Sequence, residues 1–493
     1  MQLYNTLTRQ IDPIIPLAPP TVTVYTCGPT VYDYAHIGHW FNYVRMDILI
    51  RTLKLSGLTP KWVMNITDVG HLVSDADDGE DKLQKGARRE GKTAWEIAEF
   101  YTDDFLECMQ LLNISKPNLV TKATDHISEQ IALIKTLEAR GYTYVTSEGV
   151  YYDTSKFEGY AAFARLDLDG QQAGARVKYN PEKRNPTDFA LWKFSQSAPD
   201  NKQAKPTVKN LPVADLQKRD MEWSSPWGIG FPGWHIECSA MSMKYLGDTL
   251  DIHSGGIDHI PVHHTNEIAQ SEAATGARFA LHWMHGNHVM FEGAKISKSL
   301  GNGIRLQEII EKGISAEAVR LLVLESHYRS QSQFGMTSLE AAQNRLKNWQ
   351  ATAVLRWQII ETPPSNELSS DQTATAALIH DAAEALQNSL FHDLDTPKAL
   401  ATIDELFTSI NHTFIQKDTL LEFTSLIELI DRALGTKLAT VQDITASQQK
   451  MIDSRQLSRA GNDWVTSDKL RTSLVDEGIG LRDTPYGAIW YWL

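Results

Sequence analysis

The chain has 493 residues, of which 42% are hydrophobic and 22% are charged. These fractions are those of ordinary globular proteins, so they exclude a disordered chain, a collagen-like repeat and a long coiled coil. The formal net charge of -14 excludes a surface that binds nucleic acids or anionic membranes indiscriminately.

Three cysteines, Cys27, Cys108 and Cys238, are spread over the chain. They are too few for a disulfide framework, which favours a reducing compartment. The polar first ten residues do not resemble a secretory signal, and no stretch reaches the roughly 18 apolar residues of a spanning helix. We therefore expect a cytoplasmic protein without membrane contact, whose cysteines are free thiols or metal ligands.

The first predicted elements form a βαβ unit. Residues Thr21 to Thr26 are β-branched or aromatic and run into Cys27-Gly28-Pro29, which predicts a strand entering a tight loop. Apolar spacing predicts a helix from Gly38 to Leu55, and Lys61 to Val69 is again strand-like. Such units build parallel sheets that bind ligands beyond the carboxyl ends of their strands. The loop after the first strand is therefore a candidate site.

The pattern changes twice further along the chain. Apolar residues three and four apart predict a helix over Thr93 to Ile114, with Cys108 on its buried face. Short strand-like pieces then lead to a polar stretch from Ser195 to Asp220, which predicts an insertion that ends in a mobile loop. The strand and glycine pattern resumes at Leu250, and long periodic runs beyond Gly335 predict helices.

These elements predict an α/β fold with a Rossmann-type parallel-sheet domain that is split by an insertion and followed by a mostly α-helical region. The expected divisions are residues 1–115 and 227–290 for the two halves of the sheet domain, 116–226 for the insertion, 291–335 for a loop and stem, and 336–493 for the helical region.

Two motifs suggest phosphate chemistry. His36-Ile37-Gly38-His39 opens the first helix, where imidazole donors and the helix dipole suit phosphate oxygens; two capping histidines are the alternative. Lys295-Ile296-Ser297-Lys298-Ser299 places two ammonium groups on a small-residue loop that can follow a triphosphate to its transition state. Taken alone, the second motif is also compatible with solvated surface.

Together the two motifs resemble the signature pair of the class I aminoacyl-tRNA synthetases, with Ile296 in place of the usual Met. Three segments resemble the cysteine-specific branch of that family: Tyr25 to Asp33, Gly233 to Met241 and His263 to Glu267. The resemblance runs from about Leu3 to Trp490. It implies a ligase, expected to be a monomer, that activates L-cysteine with ATP as cysteinyl adenylate and transfers it to tRNA(Cys).

Four residues form a candidate metal site. His263 and Glu267 are four residues apart and share a helical face, and with Cys27 and Cys238 they offer two sulfurs, one nitrogen and one oxygen to zinc. The resemblance assigns these four as ligands of one Zn²⁺ per chain, with the substrate thiolate as an added ligand. Zinc prefers thiolate to hydroxyl, so it would separate cysteine from serine. Buried core thiols are the alternative, and His253, His259 and His264 are competing imidazoles.

The resemblance assigns the other roles residue by residue. The catalytic residues, acting with Mg²⁺ on the ATP phosphates, are His36, His39, Lys295 and Lys298. ATP binding is assigned to Gly38, Gly255, Gly256, Asp258 and Lys298. The amino-acid pocket is assigned to Cys27, Thr67, Trp234 and His235. Recognition of the tRNA anticodon is assigned to Arg459, Asp468 and Asp483, for which surface salt bridges are the alternative reading.

The chain also departs from the family. Asn462 stands where Lys is commoner, and Gly70-His71-Leu72 leads to an acidic stretch from Asp75 to Asp81 where Asp-Asp-Lys is commoner.

Three other functions are disfavoured by the sequence. The long C-terminal third argues against a ligase that passes cysteine to an amino sugar, the lack of a His-Glu-x-x-His motif argues against a zinc hydrolase, and the intact nucleotide motifs argue against a non-catalytic RNA-binding protein.

Overall fold

A computed structural model describes residues 1–69, 82–165, 181–195, 220–291, 294–295, 303–360, 368–410, 415–484 and 487–493. Three sequence predictions lie outside the described residues, in whole or in large part: the acidic stretch Asp75 to Asp81, the polar stretch that follows Ser195, and Lys298. Within the described part of the chain, no helix has the length and apolar character that crossing a membrane requires.

The first part of the chain alternates strands and helices. Its elements are β1 (Gln2–Asn5), β2 (Gln10–Pro13), β3 (Thr21–Thr26), α1 (Ile37–Leu55), β4 (Thr59–Ile66), α2 (Lys82–Glu90), α3 (Ala94–Leu111), β5 (Leu119–Lys122) and α4 (Ile127–Ala139). Helix α3 begins at a capping box, in which Thr93 accepts from the Glu96 N–H and the Glu96 carboxylate accepts from the Thr93 N–H. Its stripe of apolar residues is buried, and Cys108 is in the core as predicted.

An antiparallel sheet interrupts this alternation. Its strands are β6 (Thr143–Val145), β7 (Gly149–Tyr152), β8 (Phe189–Phe194), β9 (Trp223–Ser225) and β10 (Gly228–Pro232), in the spatial order β6-β7-β8-β10-β9. The antiparallel sheet overlaps the insertion expected at 116–226, but its bounds differ at both ends. Strand β5 lies inside that range, yet it pairs with β4 in the parallel sheet. Strand β10 lies beyond residue 226, yet it pairs with β8 in the antiparallel sheet.

The chain then returns to the first sheet. Its elements are α5 (Trp234–Leu246), β11 (Leu250–Gly256), a π-helical turn (Ile260–His264), α6 (Thr265–Thr275), β12 (Ala280–Gly286), β13 (Val289–Phe291), β14 (Ala294–Lys295), α7 (Leu306–Ile310), α8 (Ala316–Leu324) and β15 (Ser332–Phe334). Strand β11 pairs in parallel with β3 on one side and with β12 on the other.

The parallel sheet has the strand order β12-β11-β3-β4-β5. The chain winds outward from β3 through β4 to β5 and then, after the antiparallel sheet, from β11 to β12. The winding direction therefore reverses between β3 and β11, and a crevice forms beyond the carboxyl ends of these two strands. This order confirms the predicted α/β class with its Rossmann-type sheet, and the crevice is the place where ligands are expected to bind.

The C-terminal region is mostly helical, as predicted. Its elements are α9 (Met336–Ala353), β16 (Ile359–Ile360), α10 (Leu368–Phe391), α11 (Thr396–Ile410), β17 (Ile415–Gln416), α12 (Leu420–Leu434), α13 (Ala446–Ala460), α14 (Trp464–Asp476), β18 (Ile479–Thr484) and β19 (Gly487–Trp492). Strands β18 and β19 form a hairpin that sequence analysis missed. Alternating residues such as Ile479 and Leu481 pack against the last two helices.

A buried ion pair joins the sheet domain to the helical region. Arg320, in α8, is fully buried and donates to Asp47 in α1 at 2.5 Å and to the Leu434 carbonyl at the end of α12 at 2.5 Å. Asp47 also accepts from Arg51 Nε at 2.6 Å and from the Ser115 N–H at 2.8 Å. Burial raises the pKa of Asp47, but the two arginines outweigh it and the net pKa lies below the ordinary value.

Gly435 follows α12 with a φ of 69°, and the guanidinium of Arg320 lies 2.8 Å from the position that a Cβ would take there. The turn therefore needs glycine both for its left-handed backbone and for the space that the arginine occupies.

Replacing Asp47 with Asn is expected to lower the free energy of unfolding by about 3 kcal/mol at pH 7, because Arg320 loses its only described carboxylate partner while it stays buried. The depressed pKa means that the carboxylate stabilises the fold above its unfolded pKa of about 4 and ceases to do so as pH falls through its folded pKa. Denaturant unfolding followed by tryptophan fluorescence measures this difference.

The matched control is Glu317→Gln, also in α8, whose partly exposed pair with Lys437 is expected to be worth less than about 1 kcal/mol. Equal losses in the two variants would contradict a special role for the buried pair.

Candidate functional site

A cavity of about 340 Å³ opens at the point where the winding of the parallel sheet reverses. Its walls come from the loop after β3, the start of α1, the end of β4, the start of α5 and the turns after β11 and β12. Ten of the residues predicted from the sequence line it: Cys27, His36, Gly38, His39, Thr67, Trp234, Cys238, Gly256, Asp258 and His263.

Four buried side chains at the base of the cavity form a candidate metal site. One ligand atom each from Cys27, Cys238, His263 and Glu267 lies within 4.8 Å of the others. His263 Nε2 is 2.8 Å from Glu267 Oε1. The π-helical turn ends at His264, and α6 begins at the next residue. His263 therefore belongs to the turn and Glu267 to the first turn of α6, and their side chains meet across the boundary between the two elements. This donor set is compatible with tetrahedral zinc.

The ionisation of the cluster shows how strongly its members interact. Hydrogen bonding from the Cys27 thiol lowers the pKa of Cys238 to about 6, and burial raises the pKa of Cys27. Burial lowers the pKa of His263, but Glu267 and Cys238 outweigh it and raise that pKa to about 10. The buried carboxylate of Glu267 has a pKa below its ordinary value because two histidines offset the effect of burial. The cluster therefore holds negative charge that a cation can neutralise.

More imidazoles surround this cluster. His253 Nε2 lies 2.8 Å from Glu267 Oε2, and His264 Nε2 lies 3.4 Å from Cys27 Sγ. His253, His264, Cys27 and Glu267 form a second group with ligand spacing, which shares two members with the first. The sequence offered His253 and His264 only as competing ligands. The structure places His253 against the outer oxygen of Glu267, where it orients that carboxylate.

A histidine that sequence analysis missed continues this network. His285, at the end of β12, lies with Nε2 2.7 Å from His264 Nδ1 and with Nδ1 2.7 Å from Thr6 Oγ1. Burial lowers the pKa of both His264 and His285, so their rings are neutral. The signal that could have found His285 is its position at the carboxyl end of a strand next to β11.

The two residues predicted for the amino-acid pocket beside the metal site differ in position. Trp234 lines the cavity and stacks on the His263 ring with 4.2 Å between centroids. His235 is fully buried behind it, and its Nδ1 lies 3.0 Å from His263 Nδ1. This contact engages the far nitrogen of His263 and directs Nε2 towards Glu267 and the cluster.

The two signature histidines act on the start of α1 as well as on the cavity. His36 Nδ1 accepts from the Gly38 N–H at 3.1 Å, and His39 Nδ1 accepts from the His36 N–H at 3.1 Å, which forms a capping box. In a neutral ring this arrangement fixes the proton on Nε2. Capping and phosphate binding were alternatives in the sequence, but the geometry is compatible with both, because the capping contacts use only Nδ1 of each ring.

The loop after β3 is held by polar contacts to β4. Asn65 Oδ1 accepts from the Gly28 N–H at 2.8 Å, and Asn65 Nδ2 donates to Thr67 Oγ1 at 3.1 Å. A Cβ on Gly28 would lie 1.6 Å from the Asn65 carbonyl oxygen, so only glycine fits. Thr67 lines the cavity just after β4 and forms a bridge with Thr30 of the loop. The contacts of Asn65 and Thr67 therefore hold the loop that begins at Cys27.

Three other residues predicted for ATP binding lie at the end of β11 and in the turn that follows it. Gly256 and Asp258 line the cavity, and Asp258 Oδ2 is 3.4 Å from Nδ1 of His288, a lining residue that sequence analysis missed. Gly255 packs against the rings of His259 and His264, which leave no room for a Cβ at this position. The structure describes the backbone of Lys295 in β14.

The residues predicted to read the anticodon lie in the last two helices and the terminal hairpin, away from the cavity. Asp483 accepts two hydrogen bonds from the buried Arg455, at 2.7 and 3.0 Å, and one from Arg459 at 3.0 Å. These contacts lower the pKa of Asp483. Arg459 also lies over the ring of the exposed Trp464, at 5.6 Å, while Asp468 is exposed on α14.

Comparisons with known proteins were made over the whole chain. Residues 13–344 match the family model described as the tRNA synthetases class I (C) catalytic domain. A protein named "Cysteine--tRNA ligase 1" from Burkholderia lata is 44% identical over 99% of this chain and 96% of its own length. One named "Cysteine--tRNA ligase" from Treponema denticola is 41% identical over 99% of both chains.

Among solved structures, methionyl-tRNA synthetase of Mycobacterium tuberculosis in complex with methionyl-adenylate has a TM-score of 0.57 at 13% identity. The match covers 85% of this chain and 93% of that one. This likeness concerns the fold alone, and it agrees with the Rossmann-type parallel sheet described above.

Replacing His253 with Ala is expected to weaken zinc binding by about 10- to 100-fold, because Glu267 loses the partner that orients it. Competition with a chromophoric chelator at pH 7 measures the dissociation constant. The control is His282→Ala in β12, which removes an imidazole that belongs to neither group of four. Equal zinc affinities in the parent protein and the His253 variant would contradict the role given to this histidine.

Proposed function

The chain belongs to the class I aminoacyl-tRNA synthetases, in the family of cysteine–tRNA ligases, and on this premise we propose that it joins L-cysteine to tRNA(Cys) through cysteinyl adenylate. It is a ligase, and its substrates are ATP, the amino acid and the tRNA. The observation that carries the proposal is the shared cavity, which is lined both by residues of the thiol-containing candidate metal site and by the His36-Ile37-Gly38-His39 motif.

The proposed reaction has two steps. The carboxylate of cysteine attacks the α-phosphorus of ATP in line and releases pyrophosphate, and a ribose hydroxyl at the tRNA 3′ end then attacks the adenylate carbonyl and releases AMP. Neither step needs a covalent bond to the protein. The chain therefore contributes position and charge.

The signature histidines stabilise the charge that develops on the phosphates. The capping contacts place a proton on Nε2 of His36 and of His39, so each ring presents a donor to a phosphate oxygen without a change of protonation. Lys295 and Lys298 are proposed to add mobile positive charge, with Mg²⁺ on the ATP phosphates. Gly38, Gly255 and Gly256 allow the nucleotide to approach the backbone, and Asp258 accepts from ribose hydroxyls.

Cys27, Cys238, His263 and Glu267 fit zinc through their donor chemistry and spacing, and these four would hold it. Bound zinc supplies a soft Lewis acid, which favours a thiolate over a hydroxyl. Trp234 covers the cluster and His235 fixes the orientation of the His263 ring. Selection of cysteine over serine therefore rests on chemistry and not on the small difference in size.

Recognition of tRNA is proposed for the end of the helical region. Arg455 holds Asp483 in place, so Asp483 and Arg459 form a preset polar pair beside the exposed Trp464. Unpaired bases can bind such a surface through their edges and by stacking. Asp468 completes the proposed set. A cytoplasmic location, a monomeric state and the five-part division of the chain are further proposals.

The first test is aminoacylation by the purified protein. We expect cysteine-dependent exchange of pyrophosphate into ATP and the formation of cysteinyl-tRNA(Cys), with serine used about 10⁴-fold less efficiently.

Replacing Cys238 with Ser is expected to reduce the zinc content of the purified protein. The control is Cys108→Ser, which changes a buried thiol outside the cluster. Equal zinc content in the parent and the Cys238 variant would exclude the metal assignment, and transfer to an amino sugar in place of tRNA would identify a different ligase.

The second test concerns the signature loop. Replacing Lys298 with Ala is expected to slow pyrophosphate exchange at least about tenfold, the effect of losing one contact that strengthens in the transition state. The zinc content should not change, because the residue is not a proposed ligand. Lys312→Ala, an exposed lysine beyond α7, is the control. An unchanged exchange rate in the Lys298 variant would remove this residue from the mechanism.

A further inference from the structure

Asp393 connects the helical region to the sheet domain through several donors. It follows α10, its side chain is almost fully buried, and its backbone has a left-handed φ of 60°. Asp393 Oδ1 accepts from the Tyr4 N–H at 2.8 Å and from the Tyr328 hydroxyl at 2.6 Å. Asp393 Oδ2 accepts from Arg329 Nε at 2.7 Å and Nη2 at 2.6 Å. One carboxylate therefore holds the segment that connects α8 to β15.

That segment in turn holds Asn287, in the turn between β12 and β13. The Tyr328 carbonyl accepts from the Asn287 N–H at 2.8 Å, and the Arg329 carbonyl accepts from Asn287 Nδ2 at 2.7 Å. Tyr328 and Arg329, whose side chains bind Asp393, are also the residues whose carbonyls bind Asn287, while His327 Nε2 of the same segment lies 3.6 Å from Asp393 Oδ2. A shift of this segment must therefore move Asn287 as well.

Asn287 and the next residue, His288, form part of the cavity wall. Asn287 Oδ1 accepts from the His288 N–H at 2.7 Å, and the Asn287 carbonyl accepts from Arg45 at 2.7 Å. His288 is the neighbour of Asp258, the proposed ribose acceptor. Strand β13 begins at the following residue and pairs with β14, which contains Lys295 of the signature loop. Asn287 thus sits at the base of both nucleotide-binding features.

We propose that Asp393 is a positioning residue for adenylate formation, which acts through Tyr328, Arg329 and Asn287 to set the nucleotide wall of the cavity. The inference rests on the proposed function. Asp393 lies more than a hundred residues from Asn287 in sequence and is not among the residues that line the cavity. Its effect is therefore geometric, and misplacement of a reacting group by about 1 Å can cost up to about 100-fold in rate.

A double-mutant cycle tests this connection. Asp393→Asn keeps the size of the side chain but removes the charge that holds Arg329, and Asn287→Ala removes the side-chain amide that binds the Arg329 carbonyl while its backbone N–H stays on the Tyr328 carbonyl. Each single variant is expected to lower kcat/KM for ATP in pyrophosphate exchange about tenfold, with the zinc content unchanged. If Asp393 acts through Asn287, the loss in the double variant is smaller than the product of the two single losses.

The control is Asp404→Asn in α11, a carboxylate of the same helical region that accepts from Trp349 and Arg345 and makes no described contact with the 326–330 segment. Its kcat/KM is expected to stay within about twofold of the parent value. Should Asp393→Asn fold poorly, as judged by its melting temperature, Tyr328→Phe removes a single hydroxyl of the same connection and replaces it in the cycle.

Losses that multiply in the double variant, or a kcat/KM equal to that of the parent in Asp393→Asn, would overturn the proposal. A parent protein that shows no cysteine-dependent exchange would instead overturn the proposed function. The two failures are therefore distinguishable in one set of assays.

Discussion

The catalytic half of this protein depends on one buried carboxylate. Glu267 is fully buried, and an ionised carboxylate in such a place is unstable unless partners offset the loss of hydration. Its two oxygens are each 2.8 Å from an imidazole, that of His263 on one side and that of His253 on the other. These contacts keep its pKa low and raise that of His263, so the charge persists at neutral pH. Cys27 and Cys238 lie beside this carboxylate, within the spacing of one metal site.

The topology of the sheet supplies the place for this carboxylate. Because the winding reverses between β3 and β11, the loops that follow the two strands diverge and leave a crevice at their carboxyl ends. Cys27 enters the crevice from β3, while α5 and α6 bring Cys238 and Glu267 to its base. The same loop after β3 leads to His36, which caps α1 and lines the cavity. One topological feature therefore places the candidate metal site and the two signature histidines in a single cavity.

Local patterns in the sequence were sufficient for much of this arrangement. Strand β3 has the predicted bounds, because its run of β-branched and aromatic residues ends at Cys27-Gly28-Pro29, and strand β11 begins at Leu250 as predicted. The four metal-site residues could be named from the chemistry of their donors together with the family resemblance. The roles of His253 and Asn287 could not, because each depends on a contact with an element distant in the chain.

The terminal hairpin was missed for a different reason. The helical pattern that precedes Gly478 is strong, and the alternation in Ile479–Thr484 is short and interrupted by glycine. Its burial against α13 and α14, and not its own pattern, makes it a strand pair. The ion pair of Asp47 with Arg320 was equally inaccessible, since its partners are 273 residues apart.

The central claim is that the cluster around Glu267 binds a metal ion that recognises the thiol of the substrate. X-ray absorption at the zinc edge tests it most directly on the purified protein. The account predicts two sulfur atoms at about 2.3 Å and two lighter ligands at about 2.0–2.2 Å from the zinc ion. Addition of cysteine should add a third sulfur atom to this shell, and addition of serine should leave the number of sulfur atoms at two. A ligand shell without sulfur, or one that cysteine leaves unchanged, would contradict it.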